Sequence, residues 1–183
     1  MKTVVVGITG SIAAYKACEL VRLLVKGGCD VHVVMTEHAK EFVTELTFLT
    51  LSRNPVHSKL FGAAEEWKPG HISLAEAADL VVVAPATANV IAKMAHGLAD
   101  DLLSSILLAT RAPVVVAPAM NAGMYENPAT LENIAVLKSR GVKIVEGAEG
   151  ELACGTRGKG RMAEPVDVYA ACSPFVREVV AVQ

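Results

Sequence analysis

Six short stretches of this chain carry the residues able to do chemistry. In Gly7-Ile8-Thr9-Gly10-Ser11 a tight glycine turn opens a helix, where outward-pointing N–H groups and the helix dipole favour an anion. Ser11 adds a hydroxyl donor there, and Thr36, Thr87 and Asn89 add polar groups just beyond two other apolar runs. His71 follows Trp67-Lys68-Pro69-Gly70, and Asn121 follows Pro118-Ala119-Met120, with Gly123 close behind to expose its amide. From Cys154 to Met162 the chain interleaves Gly155, Gly158 and Gly160 with Arg157, Lys159 and Arg161. A segment of that kind reads as a basic flap over a phosphate-bearing substrate, whose cations favour the Cys154 thiolate as an acid or nucleophile.

Each stretch also has a plainer reading. The glycine turn serves as a helix start without a ligand, Thr87 and Asn89 as N-caps, His71 as a cap or solvated side chain, and the flap as a solvated loop. The dinucleotide fingerprint G-x-G-x-x-G is missing, and Thr36 stands where an NAD site wants a carboxylate for the adenosine ribose, with Glu37 one residue away. A mononucleotide such as FMN, with one phosphate and no second ribose, suits these residues better.

The elements that must position these groups show as short apolar runs at Val4–Gly7, Val31–Met35, Leu80–Ala84, Val114–Ala117 and Val142–Val145. Runs apolar on both faces, alternating with helical stretches, predict a parallel sheet between two helical layers, a three-layer αβα architecture. Helices are predicted over Ile12–Lys26, Lys40–Leu51, Ser73–Ala78, Asn89–His96, Asp101–Thr110, Pro128–Arg140 and Val166–Val180, the last interrupted by Pro174. Ligands on such sheets bind beyond the carboxyl ends of the strands, so the five stretches that follow the apolar runs belong to one rim.

Composition narrows the function classes. At 183 residues the chain suits one domain, and its net charge of −2 with no basic stripe argues against nucleic acid. The 52% hydrophobic content is high, with mean hydropathy +0.42, yet no apolar run is long enough to span a membrane. The surplus is expected in the core and between subunits. Cys18, Cys29, Cys154 and Cys172 have no metal-ligand spacing, which predicts reduced thiols, no metal and a cytoplasmic setting. Val4–Val6 runs straight into a glycine turn, unlike a secretory signal.

Taken together, the chain resembles the flavin-containing cysteine decarboxylases, in particular their phosphopantothenoylcysteine-specific branch, from Val5 to Pro165. The resemblance rests on Gly7–Lys16, His71–Ala75, Ala84–Lys93, Pro118–Tyr125 and Ala153–Met162; Tyr125 stands where many members carry Trp. It implies a Rossmann- or flavodoxin-like flavoprotein fold, FMN as cofactor, and decarboxylation of 4′-phosphopantothenoylcysteine to 4′-phosphopantetheine in coenzyme A biosynthesis. Oxidation of the substrate thiol to a thioaldehyde gives the C=S bond that accepts the electrons released with CO2, and reduction of the resulting enethiol leaves the flavin unchanged. By the same resemblance, FMN meets Gly10, Ser11, Ile12, Thr36, Thr87, Ala88, Asn89 and Ala117. Asn121 and His71 hold the substrate carboxylate, His71 also being placed for proton transfer, and Cys154 donates the final proton. Met124, Ala153, Arg157 and Lys159 complete the substrate site.

The resemblance further implies a homotrimer or a dodecamer of trimers with flavin at subunit contacts, and either a stand-alone enzyme or the N-terminal half of a bifunctional one. Three relatives compete: a peptidyl-cysteine decarboxylase of lantibiotic maturation, a non-enzymatic flavin-binding regulatory subunit, and a flavin prenyltransferase. The flap cations, the joint presence of His71, Asn121 and Cys154, and the cysteine flap itself disfavour them in turn.

Overall fold

The structure, a computed structural model, describes residues 1–60, 70–151, 155 and 157–176. Strands β1 (Thr3–Ile8), β2 (Asp30–Met35), β3 (Leu80–Ala86), β4 (Val114–Pro118) and β5 (Lys143–Ile144) form one parallel sheet in the order β2-β1-β3-β4-β5. Successive side chains point to opposite faces. Val4, Val6, Ile8, Val82 and Ala84 therefore enter one core, beneath α1 (Ala14–Lys26), α2 (Glu45–Ser52) and α8 (Pro165–Val176). Val5, Val81 and Val83 enter the other, beneath α3 (Gly70–Ala77), α4 (Ala88–His96), α5 (Leu102–Ala109) and α7 (Pro128–Ser139). This is the three-layer architecture expected, with all five strands where the apolar runs lie. The strand order reverses between β1 and β3, which makes their carboxyl ends the switch point where a ligand crevice opens.

Several boundaries differ for local reasons. Helix α1 starts at Ala14 rather than Ile12, because the Ser11 carbonyl accepts the Ala14 N–H and the Ser11 hydroxyl accepts the Ala13 N–H. The helix predicted over Lys40–Leu51 is instead a 3-10 turn, Glu37–Glu41, followed by α2. Thr44 is extended between them, and Lys40 Nζ ties the two pieces through Glu37 at 3.0 Å and Glu45 at 3.2 Å. Pro174 does not interrupt α8: the Ala170 carbonyl that loses its N–H partner there accepts the Ser173 hydroxyl at 2.8 Å. His57 pairs with the outer edge of β2, its N–H on the Val33 carbonyl and its carbonyl on the Met35 N–H. That covers an edge the sequence left open.

The flap is a short antiparallel hairpin, β6 (Gly150–Glu151) against β7 (Arg157–Gly158). Cys18, Cys29 and Cys172 are free thiols, and burial raises all three above the ordinary value, Cys172 to about 12. That fits structural, unreactive cysteines.

Candidate active site

The rim is continuous because each strand's exit is tied to the next. From β2, the Thr36 N–H reaches the Ile8 carbonyl at 3.0 Å. From β1, the Thr9 hydroxyl reaches β3, donating to the Pro85 carbonyl at 2.7 Å and accepting the Thr87 N–H at 3.0 Å. From β4, the Ala119 N–H reaches the Ala86 carbonyl, and the Met120 N–H takes the Gly160 carbonyl, both at 2.9 Å. Beyond β5, Glu146 bridges to Met162, so the hairpin is attached to the rim at two points.

At the β1 exit the residues fit a phosphate-bearing mononucleotide. A Cβ on Gly10 would lie 2.5 Å from the His38 Cβ, so the loop after β2 packs directly on the glycine turn, and only glycine leaves room. Among the described residues, the Gly10 and Ile12 N–H groups have no partner. The Thr36 hydroxyl oxygen is buried without one either. A buried hydroxyl left unpaired costs about 1–3 kcal/mol, so this one calls for a ligand at the switch-point crevice. Neutral N–H and O–H donors at a helix start are the set a phosphate and a ribityl chain require.

The other cofactor candidates are placed less uniformly. Ser11 is half-buried and its hydroxyl caps Ala13, while Ile12 is exposed. Thr87 is the N-cap of α4, accepting the Val90 N–H at 3.4 Å; Ala88 and Asn89 fill the first turn, Asn89 exposed. Ala117 lies inside β4 with its methyl fully buried in the α1-side core, so it meets the rim only through its backbone.

On the substrate side, Asn121 caps the short helix α6 (Ala122–Tyr125), its Oδ1 accepting the Gly123 N–H at 2.8 Å. Met124 is half exposed on the same helix. Gly158 packs on Ala122, and Gly160, at φ +118°, packs on the Met120 carbonyl, so the hairpin base lies against the Asn121 loop. Of the flap cations, Arg161 turns to Glu164 at 3.5 Å, while Lys159 stays exposed, 3.9 Å from an equally exposed Glu149. Ala153 and Cys154 lie outside the described residues, as does the side chain of Arg157.

Tyr125 is buried near Glu146; burial, then the Glu146 charge, pushes its hydroxyl up to about 12, so it stays protonated. Lys138, at 2.7 Å, holds the Glu146 carboxyl below its ordinary range. Lys16 joins α1 to the hairpin base through Glu164 at 2.7 Å and the Met162 carbonyl at 3.4 Å.

His71 stands in the first turn of α3, which packs with α5 on the opposite face of the sheet from α1 and shares that core with Tyr125 of α6. Among the described residues its Nδ1 is buried with no partner. Thr9 was missed by the sequence reading. Its only signal is a hydroxyl between Gly7 and Gly10, which a turn explains equally well.

A doubly wound parallel sheet with a mononucleotide-type crevice at the β1/β3 switch point defines the class. The Flavoprotein family pattern matches residues 1–176, and the chain belongs to that family. It is 52% identical over 174 residues to the Coenzyme A biosynthesis bifunctional protein CoaBC of Vibrio vulnificus, covering 95% of this chain and 43% of that protein. The Bacillus subtilis protein of the same name is 50% identical over 167 residues, covering 91% and 41%. The chain thus spans less than half the length of these curated relatives. Among solved structures it matches a PPC decarboxylase cysteine-to-serine mutant complexed with pantothenoylaminoethenethiol, at TM-score 0.84 and 31% identity over 95% of this chain and 97% of that one. It also matches the FMN binding protein AtHal3, at TM-score 0.83 and 31% identity over 96% of each chain.

Proposed function

We propose that this chain is an FMN-dependent decarboxylase that converts 4′-phosphopantothenoylcysteine to 4′-phosphopantetheine in coenzyme A biosynthesis. The observation that carries the reading is the Met120–Gly160 tie, which joins the crevice suited to FMN to the hairpin bearing the cations. Bound FMN supplies a reversible acceptor for an electron pair beside the substrate thiol. Gly10, Ser11 and Ile12 bind its phosphate, Thr36, Thr87, Ala88 and Asn89 line its chain and ring, and Ala117 contributes through its backbone. Asn121 and His71 hold the substrate carboxylate against the rim, and His71 moves the proton at that end. Cys154 returns the last proton. Met124 and Ala153 shape the substrate side, and Arg157 and Lys159 take its phosphate. Lys159 is available for that role, since an exposed pair at 3.9 Å is worth little.

The site is completed between copies, as a homotrimer or a dodecamer of trimers. Exposed Ile12, Tyr15, Phe42 and Leu46, beside the cofactor turn, offer apolar surface for that contact. The 183 residues act as a single flavoprotein domain, alone or as the N-terminal half of a bifunctional chain, in the cytoplasm. Among the described residues no helix is long and apolar enough to cross a membrane.

The test is a visible spectrum of the purified protein followed by turnover on two substrates. Flavin absorption bands and CO2 release from phosphopantothenoylcysteine are expected. Release from a peptide ending in cysteine, with none from phosphopantothenoylcysteine, would overturn the substrate; protein that refuses FMN on reconstitution would overturn the whole reading.

A further inference from the structure

We infer that Thr9 is a positioning residue for the cofactor and acts through Thr87; this rests on the reading that FMN binds at the β1/β3 switch point. Thr9 is 2% exposed and points its hydroxyl across the sheet at the exit of β3. Its oxygen donates to the Pro85 carbonyl at 2.7 Å and accepts the Thr87 N–H at 3.0 Å. One atom thus satisfies two backbone groups of the β3–α4 turn, 76 and 78 residues away in sequence. The carbonyl between them, on Ala86, is held from the other side by the Ala119 N–H.

The consequence falls on Thr87. Its N–H is consumed by Thr9, and its hydroxyl oxygen already accepts the Val90 N–H at the start of α4. What Thr87 retains for a ligand is its hydroxyl proton, and the backbone that aims this proton is fixed by Thr9. The pose of the turn is thus set by contacts distant in sequence, the Thr9 hydroxyl on one side and the Ala119 N–H on the other. The Thr9 hydroxyl satisfies the Pro85 and Thr87 backbone groups directly, and so keeps the crevice preformed before the cofactor arrives.

The experiment titrates apoprotein with FMN by fluorescence quenching. It compares wild type with Thr9→Val, which keeps the branched shape and loses both bonds, and Thr9→Ser, which keeps the hydroxyl. Ser52→Ala serves as control: it removes another buried hydroxyl, one bonded only within the Ser52–Asn54 turn. Thr9→Val should weaken FMN about tenfold, the size of one lost net hydrogen bond. Thr9→Ser should bind within about threefold of wild type, and kcat at saturating FMN should change less than the FMN Kd. Ser52→Ala should lower Tm without touching FMN affinity. Thr9→Ala gives the same reading should Thr9→Val not fold. Wild-type affinity in Thr9→Val, or an equal loss in Ser52→Ala or Thr9→Ser, would overturn the role of Thr9 and leave the flavin reading standing. Wild-type protein that takes up no FMN would overturn both.

Discussion

At the β1/β3 end of the rim, the loops are held by groups that the sheet itself brings together: Thr9 on Pro85 and Thr87, Thr36 on Ile8, and Gly10 pressed against His38. At the β4/β5 end, a two-residue-per-strand hairpin hangs on Met120 and Glu146, with Lys159 exposed and Arg161 turned to Glu164. The first region is shaped before any ligand binds, because parallel strands fix where their exits lie. The second is positioned by tethers, so small changes at its base are transmitted to the substrate side while the cofactor side stays intact.

The largest effect is expected at the preformed end. Gly10→Val places carbon atoms where His38 already sits, 2.5 Å from its Cβ and 3.2 Å from its carbonyl carbon, so the turn must open. FMN affinity should fall on the order of a hundredfold with the far-ultraviolet circular dichroism retained. Flavin content at the wild-type level would mean that the close packing of these two loops is not what shapes the crevice.

At the tethered end, Gly160→Ala acts differently. A positive φ of +118° and the Met120 carbonyl in the path of a Cβ leave the substituted residue strained by about 1–3 kcal/mol. Decarboxylation kcat/KM should fall about tenfold or more while FMN affinity stays within about twofold. Parallel losses of flavin and turnover would show that the two regions act as one unit.

The smallest effect concerns Glu146, which pairs with Lys138 beneath the hairpin. Its folded-state carboxyl lies below the ordinary value, chiefly through Lys138, so its contribution is present above the unfolded value of 4.5 and disappears as pH falls through the folded one. Because the side chain is 45% exposed, Glu146→Gln should cost only a few tenths of a kcal/mol at neutral pH. Urea denaturation across the acid range should show wild type and variant converging below that window; a constant difference at every pH would remove the charge from the explanation.

How much of this was legible beforehand follows the physics of each element. Strands such as Val81-Val82-Val83 declared themselves because a run apolar on both faces has few other uses, and Gly27-Gly28 and Pro128 marked helix ends through their own backbone limits. The break between Glu41 and α2 was not visible, since Lys40–Leu51 has no helix breaker and the interruption depends on Lys40 reaching both Glu37 and Glu45. Pro174 misled in the other direction, because Ser173 supplies the missing bond. At the site, Gly10 and Thr36 were nameable from spacing, whereas Thr9 was not: its importance lies in partners 76 and 78 residues away.

The sequence by itself determined the layered parallel sheet, the rim on which its polar stretches must fall, and the anion-binding character of the first turn. These depend on periodicity, glycine and proline, whose constraints are local. Tertiary packing fixed that, among the described residues, the Thr36 hydroxyl is buried without a partner, that Thr87 spends its N–H on Thr9, and that Arg161 faces Glu164. Those outcomes turn on which side chains meet across the sheet, and hydrogen-bond reach of about 3 Å is set by packing between residues that the linear order keeps far apart.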